Sequence, residues 1–146
     1  MIVLTSGGFD PLHIGHLNYL EAAASLAQGG FSIILPLVTV ALNSDDYIIR
    51  KKGYCFMPWD ERARILSILR CVERVIPNND GHHTIGDVLR IVRPDIFAYG
   101  GDRFSPDPEA HKVCVELGIK ELFGIGGEKI RSSSQMVSMN INRSNL

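Results

Sequence analysis

The stretch Thr5-Ser6-Gly7-Gly8-Phe9-Asp10-Pro11-Leu12-His13-Ile14-Gly15-His16 carries two imidazoles three residues apart, just behind a pair of glycines. Residues i and i+3 share one side of a helix or turn, so both rings can face a single anion. Two such donors suit a phosphate whose charge grows in a transition state. Gly7 and Gly8 let the chain turn sharply and let a ligand approach backbone N–H groups. A helix start at the histidines adds further N–H donors and a partial positive charge. These features together describe a phosphate site at a strand-to-helix turn. A lone histidine at a helix start is usually solvated or packed, whereas a pair bracketing a glycine behind Gly-Gly departs from that ordinary case.

The flanking sequence must supply the elements that hold this turn. Ile2-Val3-Leu4 reads as a short strand, and Pro11 disfavours helix at Asp10, so the turn is complete by there. Ile14, Leu17, Leu20, Ala24 and Ala27 recur near helical period, and Gln28-Gly29-Gly30 ends that helix. The run from Ile33 to Leu42 is apolar on both faces, as in a buried parallel strand, and the strand is expected after Pro36. Asn43-Ser44-Asp45-Asp46 follows at its carboxyl end, the edge where open α/β sheets bind ligands. Arg50-Lys51-Lys52-Gly53 reads as a basic loop, either solvated or facing phosphate. A helix is expected from Pro58 to Leu69, with Asp60 and Glu61 at its positive end and Ile65, Leu66 and Leu69 inward.

Cys71 to Ile76 reads as a third strand, followed by the turn cluster Pro77-Asn78-Asn79-Asp80-Gly81. His82-His83 has no carboxylate or cysteine at ligand spacing and reads as a solvated doublet rather than a metal site. Ile85, Val88, Leu89 and Val92 mark a helix, and Pro94 to Tyr99 a strand ending in Gly100-Gly101-Asp102-Arg103. Pro106 to Leu117 is a further helix with Gly118 as its C-cap, and Lys120 to Ile125 a fifth strand. Ser132-Ser133-Ser134 then opens a last helix. Serine N-caps and their neighbouring N–H groups make a second anion site, flanked by Lys129 and Arg131. Five strands alternating with five helices give an α/β fold, a Rossmann-like three-layer sandwich around a five-stranded parallel sheet.

Length and composition fit that outline. A chain of 146 residues is expected to form a single domain over 1–146, with residues 140–146 a frayed polar tail. With 45% hydrophobic and 21% charged residues, it has the composition of an ordinary globular protein. A net charge of -1 argues against a surface built to coat nucleic acid. The longest apolar run contains Ser32, Pro36 and Thr39 and is too short to span a bilayer, so no membrane partner is expected. No leader pattern precedes the first strand, and three cysteines without metal spacing suit a reduced cytoplasmic protein.

Gly7-Gly8-Phe9-Asp10-Pro11-Leu12-His13-Ile14-Gly15-His16 resembles the HxGH signature of the cytidylyltransferase-like nucleotidyltransferases. Within that family the pattern is similar to the glycerol-3-phosphate cytidylyltransferases and to heptose-1-phosphate adenylyltransferase domains. Asn43-Ser44-Asp45 resembles the family's NSD or STD element, Gly100-Gly101-Asp102 its GGD element, and the serine triplet its ISTT or SSS signature. The resemblance runs from Gly7 to about Val137. The chain departs from the family in a longer link around Phe31 to Pro36. It also has Tyr99 where lysine is common, and Gly127 where an arginine stands in relatives with RTxGISTT.

The resemblance implies transfer of a nucleoside monophosphate from CTP or ATP to a small phosphorylated substrate, with release of pyrophosphate. It implies that Gly7, Gly8, Phe9, Asp10, His13 and His16 hold the nucleotide phosphates, and that Lys51 or Lys52 assists catalysis. Asp102 is then expected beside the nucleoside, with Lys129, Arg131, Ser132 and Ser133 on the outer phosphates. Asp45 and Arg62 are expected beside the substrate, although a surface salt bridge is an equal reading of Arg62. Magnesium is expected with the triphosphate, and a homodimer as the assembly. A sugar or polyol phosphate is the favoured acceptor, against phosphopantetheine, FMN or nicotinamide mononucleotide. A non-catalytic nucleotide-binding regulator is the rival from another class. A tRNA-linked adenylate former is a further one, because His13-Ile14-Gly15-His16 also spells the HIGH signature of class I aminoacyl-tRNA synthetases.

Overall fold

Apolar residues that alternate along each strand are divided between two packed layers. Val3, Val38, Val40, Leu42, Ile96 and Ala98 face one side of a sheet, and Leu4, Ala41, Phe97 and Tyr99 face the other. The computed structural model describes residues 1–28, 37–79, 84–128 and 132–144, the side chains of 140–144 excepted. The strands are β1 (Val3–Gly7), β2 (Val38–Asn43), β3 (Val72–Asn78), β4 (Ile96–Gly100) and β5 (Lys120–Ile125). They pair in the order β3-β2-β1-β4-β5, and every pairing is parallel.

Helices α1 (Ile14–Ser25) and α3 (Trp59–Ser67) cover the first face through Tyr19, Leu20, Ala23, Ala24 and Leu66. Helices α4 (Ile85–Val92) and α5 (Pro108–Leu117) cover the other through Val88, Leu89, Ala110 and Val113. This is the Rossmann-like three-layer α/β arrangement expected from the sequence. The chain winds outward from β1 to β3 and then crosses to β4, so the strand order reverses at β1. A crevice opens at the carboxyl ends of the strands at such a point.

The structure corrects the expected elements in three places. Asp45–Lys52 is a helix, α2, where a basic loop is expected. Ser44 caps it by accepting from the Tyr47 N–H at 3.1 Å. Asp45 and Asp46 at its start and Arg50, Lys51 and Lys52 at its end both oppose the helix dipole. Strand β3 runs on through Pro77 and Asn78, which read as a turn. Proline is tolerated there because β3 is an edge strand and has one unpaired side. The last helix, α6 (Ser133–Ser144), continues through 140–144, where a frayed tail is expected. Six helices are therefore found among the described residues, against an expected five. The link at 29–36, the doublet His82-His83, and Lys129 and Arg131 lie outside the described residues.

The loops after β4 and β5 touch at Gly101. A Cβ on Gly101 would fall on the backbone carbonyl oxygen of Gly127, so the two loops approach this closely only with glycine there. Gly101→Ala is expected to destabilise the protein by about 1–3 kcal/mol in denaturant unfolding, the scale of overpacking against unyielding backbone. Gly118→Ala provides the contrast. Its Cβ would meet nothing within 4 Å, and its φ of 70° leaves only the left-handed penalty of about 1–2 kcal/mol.

Candidate functional site

The two histidines form the cap of the first helix. His13 is the N-cap of α1, and its Nδ1 accepts from the Gly15 N–H at 3.1 Å. His16 returns the contact, its Nδ1 accepting from the His13 N–H at 3.2 Å. This is a capping box with imidazoles in the place of the usual serine and glutamate. The rings stack 3.8 Å apart with 19° between their planes. A neutral ring whose Nδ1 accepts carries its proton on Nε2, so both rings present Nε2–H as a donor. Backbone geometry thus fixes orientation and tautomer together.

Phe9 supports the pair from below. It is buried and has φ 50°, a left-handed conformation that a bulky residue adopts only when its surroundings hold it. Its ring lies 4.9 Å from the His16 ring and 6.4 Å from that of Tyr19. A Cβ on Gly7 would sit 3.0 Å from the Phe9 ring, so the folded-back phenyl needs glycine at that place. The Tyr19 hydroxyl donates to the Ala98 carbonyl at 2.6 Å, and burial pushes its acidity well below that of an ordinary tyrosine.

Asp10 and Arg62 hold the turn against the rest of the fold. Asp10 is fully buried, and its carboxylate accepts from the N–H groups of Phe56 and Met57, both at 2.7 Å. Arg62 on α3 is 1% exposed. Its Nε donates to the Met57 carbonyl at 2.8 Å, and its Nη1 to the carbonyls of Gly8 and Asn43, both at 2.9 Å. Its Nη2 pairs with Asp45 Oδ1 at 2.5 Å. The expected salt bridge to a nearby acid is therefore present, but Arg62 makes it from the interior rather than the surface, and its donors are engaged by protein atoms. Cys55 sits in the same cluster, its thiol donating to the Met57 carbonyl at 3.0 Å. Burial, then the Asp10 and Asp45 carboxylates, push that thiol up to about 11.

A cavity of about 590 Å³ lies over the carboxyl ends of the strands. Gly7, Gly8, Phe9, His13, His16, Lys51 and Asp102 all line it, so the structure brings these expected site residues together. Lys51 and Lys52 are placed differently. Lys51 lines the cavity with its Nζ 5.9 Å from the centre of the Tyr47 ring, whereas the Lys52 Nζ points 3.5 Å from the Asp10 carbonyl. Asp10, Asp45, Arg62, Ser132 and Ser133 stand outside the lining. Ser133 is buried and donates to the Pro11 carbonyl at 2.8 Å, fastening α6 to the histidine turn instead of offering that proton to phosphate.

Several lining residues were not expected as site residues. Asn43, the first residue of the Asn43-Ser44-Asp45 element, and Asn78 end β2 and β3, Tyr47 lies on α2, and Thr84 and Glu109 start α4 and α5. The one sequence signal for them is their place at strand ends and helix starts. Tyr99, which replaces the common lysine, also lines the cavity, and its hydroxyl donates to Glu121 Oε1 at 2.9 Å. Phe123 stacks on its ring at 4.7 Å, and the Arg103 guanidinium lies 5.7 Å from the ring centre.

Comparison with known proteins gives matches over most of the chain. The family model described as Cytidylyltransferase-like matches residues 4–137. The bifunctional protein HldE of Syntrophotalea carbinolica is 36% identical over 117 residues, covering 79% of this chain and 22% of that protein. The bifunctional protein HldE of Helicobacter hepaticus is 37% identical over 118 residues, covering 80% and 22%. The chain thus spans about a fifth of the length of these curated relatives. Among solved structures, the lipopolysaccharide core biosynthesis protein from Thermoplasma volcanium superposes with TM-score 0.67 at 25% identity, covering 84% of this chain and 93% of that one. A protein of unknown function from Archaeoglobus fulgidus shares the fold with TM-score 0.54 at 16% identity, covering 91% and 96%.

The Arg62 network sets two expectations. Arg62→Met strips the guanidinium donors from three backbone carbonyls and is expected to cost about 2–4 kcal/mol in denaturant unfolding. Arg90→Met, which breaks an exposed pair with Glu116 at 3.1 Å, is expected to cost under about 1 kcal/mol. Alkylation by iodoacetamide should find Cys55 roughly 100-fold slower at pH 8 than an ordinary thiol. Its rate should climb with pH towards about 11, and a plateau near pH 9 would show that neither burial nor the carboxylates hold the thiol up.

Proposed function

We propose that this chain, which belongs to the cytidylyltransferase-like family, transfers a nucleoside monophosphate from ATP or CTP to a sugar or polyol phosphate. An oxygen of the acceptor phosphate attacks the α-phosphorus, the bond to the β-phosphate oxygen breaks, and pyrophosphate leaves with that electron pair. The product is a nucleoside diphosphate joined to the acceptor. An ionised phosphate is already a nucleophile, so the chain need supply no general base.

The observation that carries this reading is the stacked His13–His16 pair, locked with both Nδ1 atoms on backbone N–H groups and lining the cavity. Donors fixed before the reaction stabilise developing charge without reorganising. Positioning and charge stabilisation are what transfer at phosphorus requires. Lys51 supplies positive charge within the same cavity, and Asp102 lies on the β4 side, where a nucleoside would extend. Ser132, Lys129 and Arg131 are assigned to the outer phosphates on the strength of the family signature. The relatives named HldE and the lipopolysaccharide core protein favour a sugar phosphate as the acceptor.

Among the described residues no three His, Cys, Asp or Glu side chains converge as a metal site. Magnesium would then enter on the triphosphate oxygens, which commonly hold it with few protein ligands. No described helix is long and apolar enough to cross a membrane. A homodimer in the cytoplasm is proposed as the working state, and sedimentation equilibrium tests the assembly.

Pyrophosphate release from ATP and CTP, with a panel of sugar, polyol and cofactor-precursor phosphates, tests the function directly. Release with a sugar or polyol phosphate is the expected result, and no release with any acceptor would leave a nucleotide-binding regulator. His13→Asn separates chemistry from folding, because asparagine caps helices well but has no Nε2–H. It should keep the melting temperature within a few degrees while lowering kcat roughly 10²–10³-fold. The rate should also fall below pH ~6, where the acceptor phosphate dianion takes up a proton.

A further inference from the structure

The β2 and β3 ends carry an amide pair to which the transferase reading above gives no role. Asn43 and Asn78 are the last residues of their strands and are register partners across the parallel pair. Register partners point to the same face, and here both side chains line the cavity. Asn78 Nδ2 donates to Asn43 Oδ1 at 2.8 Å. That one bond orients both amides. It leaves the Asn43 amide protons and the second Asn78 amide proton as donors and Asn78 Oδ1 as an acceptor, and among the described residues none of these makes another hydrogen bond. The backbones beside them are fixed as well, since the Asn43 carbonyl accepts from Arg62 and the Asn78 carbonyl accepts from the Ser44 N–H at 3.1 Å.

We propose that this amide pair is a hydroxyl-reading subsite that selects a polyhydroxylated acceptor phosphate. An alcohol hydroxyl both donates and accepts, and the pair offers one group for each role side by side. A carboxylate or a second phosphate would find partners only in the amide protons, and would meet the Asn78 oxygen with like polarity. Lys51 lines the same side of the cavity from α2, which follows β2 directly, and supplies a cation for the acceptor's phosphate. One cation beside one donor–acceptor pair matches a phosphate with hydroxyl-bearing carbons next to it. The strand order places these groups across β1 from Gly101 and Asp102, so an acceptor and a nucleoside need not compete for space. The assignment rests on the transferase reading above.

Calorimetric binding to the whole chain, with a non-hydrolysable triphosphate analogue present, tests the subsite without turnover. The probes are glucose 1-phosphate, glycerol 3-phosphate and propyl phosphate, which has no hydroxyl. Wild type is expected to bind the better hydroxylated phosphate at least 10-fold more tightly than propyl phosphate. Asn78→Leu should bring that ratio within about threefold while leaving propyl phosphate affinity unchanged, as expected from losing neutral hydrogen bonds to the ligand. Asn78→Ala serves in place of the leucine variant if its thermal melt shows misfolding. Equal binding of all three probes by wild type, or a preference that survives both variants, overturns the subsite. Pyrophosphate release measured with the same acceptors separates the two claims. Turnover with an unaltered preference defeats the subsite alone, and a lost preference without any turnover defeats the transferase reading alone.

Discussion

Arg62 is the constraint on which the site depends. A guanidinium shut away from water must spend its donors on protein, and three of those bonds end on backbone carbonyls of Gly8, Asn43 and Met57. The phosphate turn, the end of β2 and the segment before α3 are therefore tied to one rigid planar group. Asp10 ties the same segment from the opposite sense, by accepting N–H bonds from Phe56 and Met57. Removing either charge would leave polar backbone unmatched in a dry interior, which costs more than a surface contact returns. A helix on the opposite end of the loop thus fixes where the histidine turn sits.

Order then passes outward in steps. The glycine turn, held at Gly8, allows Phe9 to fold back beneath His16 and Tyr19. The two imidazoles cap each other's helix turn, which sets their tautomers before any ligand arrives. Ser133 closes the arrangement from the far end of the chain through the Pro11 carbonyl. Site residues from β1, α1, α2 and the β4 loop therefore meet in one cavity while the charges that hold them remain buried behind it.

The sequence was most legible where chemistry is local. Two histidines three apart behind Gly-Gly, and glycines closing a strand at Gly100-Gly101, marked the binding edge because such residues act through their own backbone. Strand and helix order followed from apolar periodicity. The α2 helix was hidden because Arg50-Lys51-Lys52 looks like a solvated run, although Ser44 and the acidic pair behind it form a proper N-terminus. Pro77 looked like a turn because nothing local reveals that β3 is an edge strand. Asp10, Arg62 and Ser133 have the residue types of ligand contacts, and their side chains bond to protein. Burial decides between those roles, and burial is set by distant packing. The Asn43–Asn78 pair was invisible for the same reason, since 35 residues separate partners that only strand register brings together.

The central claim is that the chemistry occurs at the α-phosphorus, over the histidine pair. Triphosphate labelled separately at the α- and γ-phosphates, supplied with a sugar phosphate acceptor, tests it most directly. The α label should appear in the acceptor conjugate and the γ label in pyrophosphate. Transfer of the γ label to the acceptor, or an α label that never leaves the nucleotide pool, would contradict it.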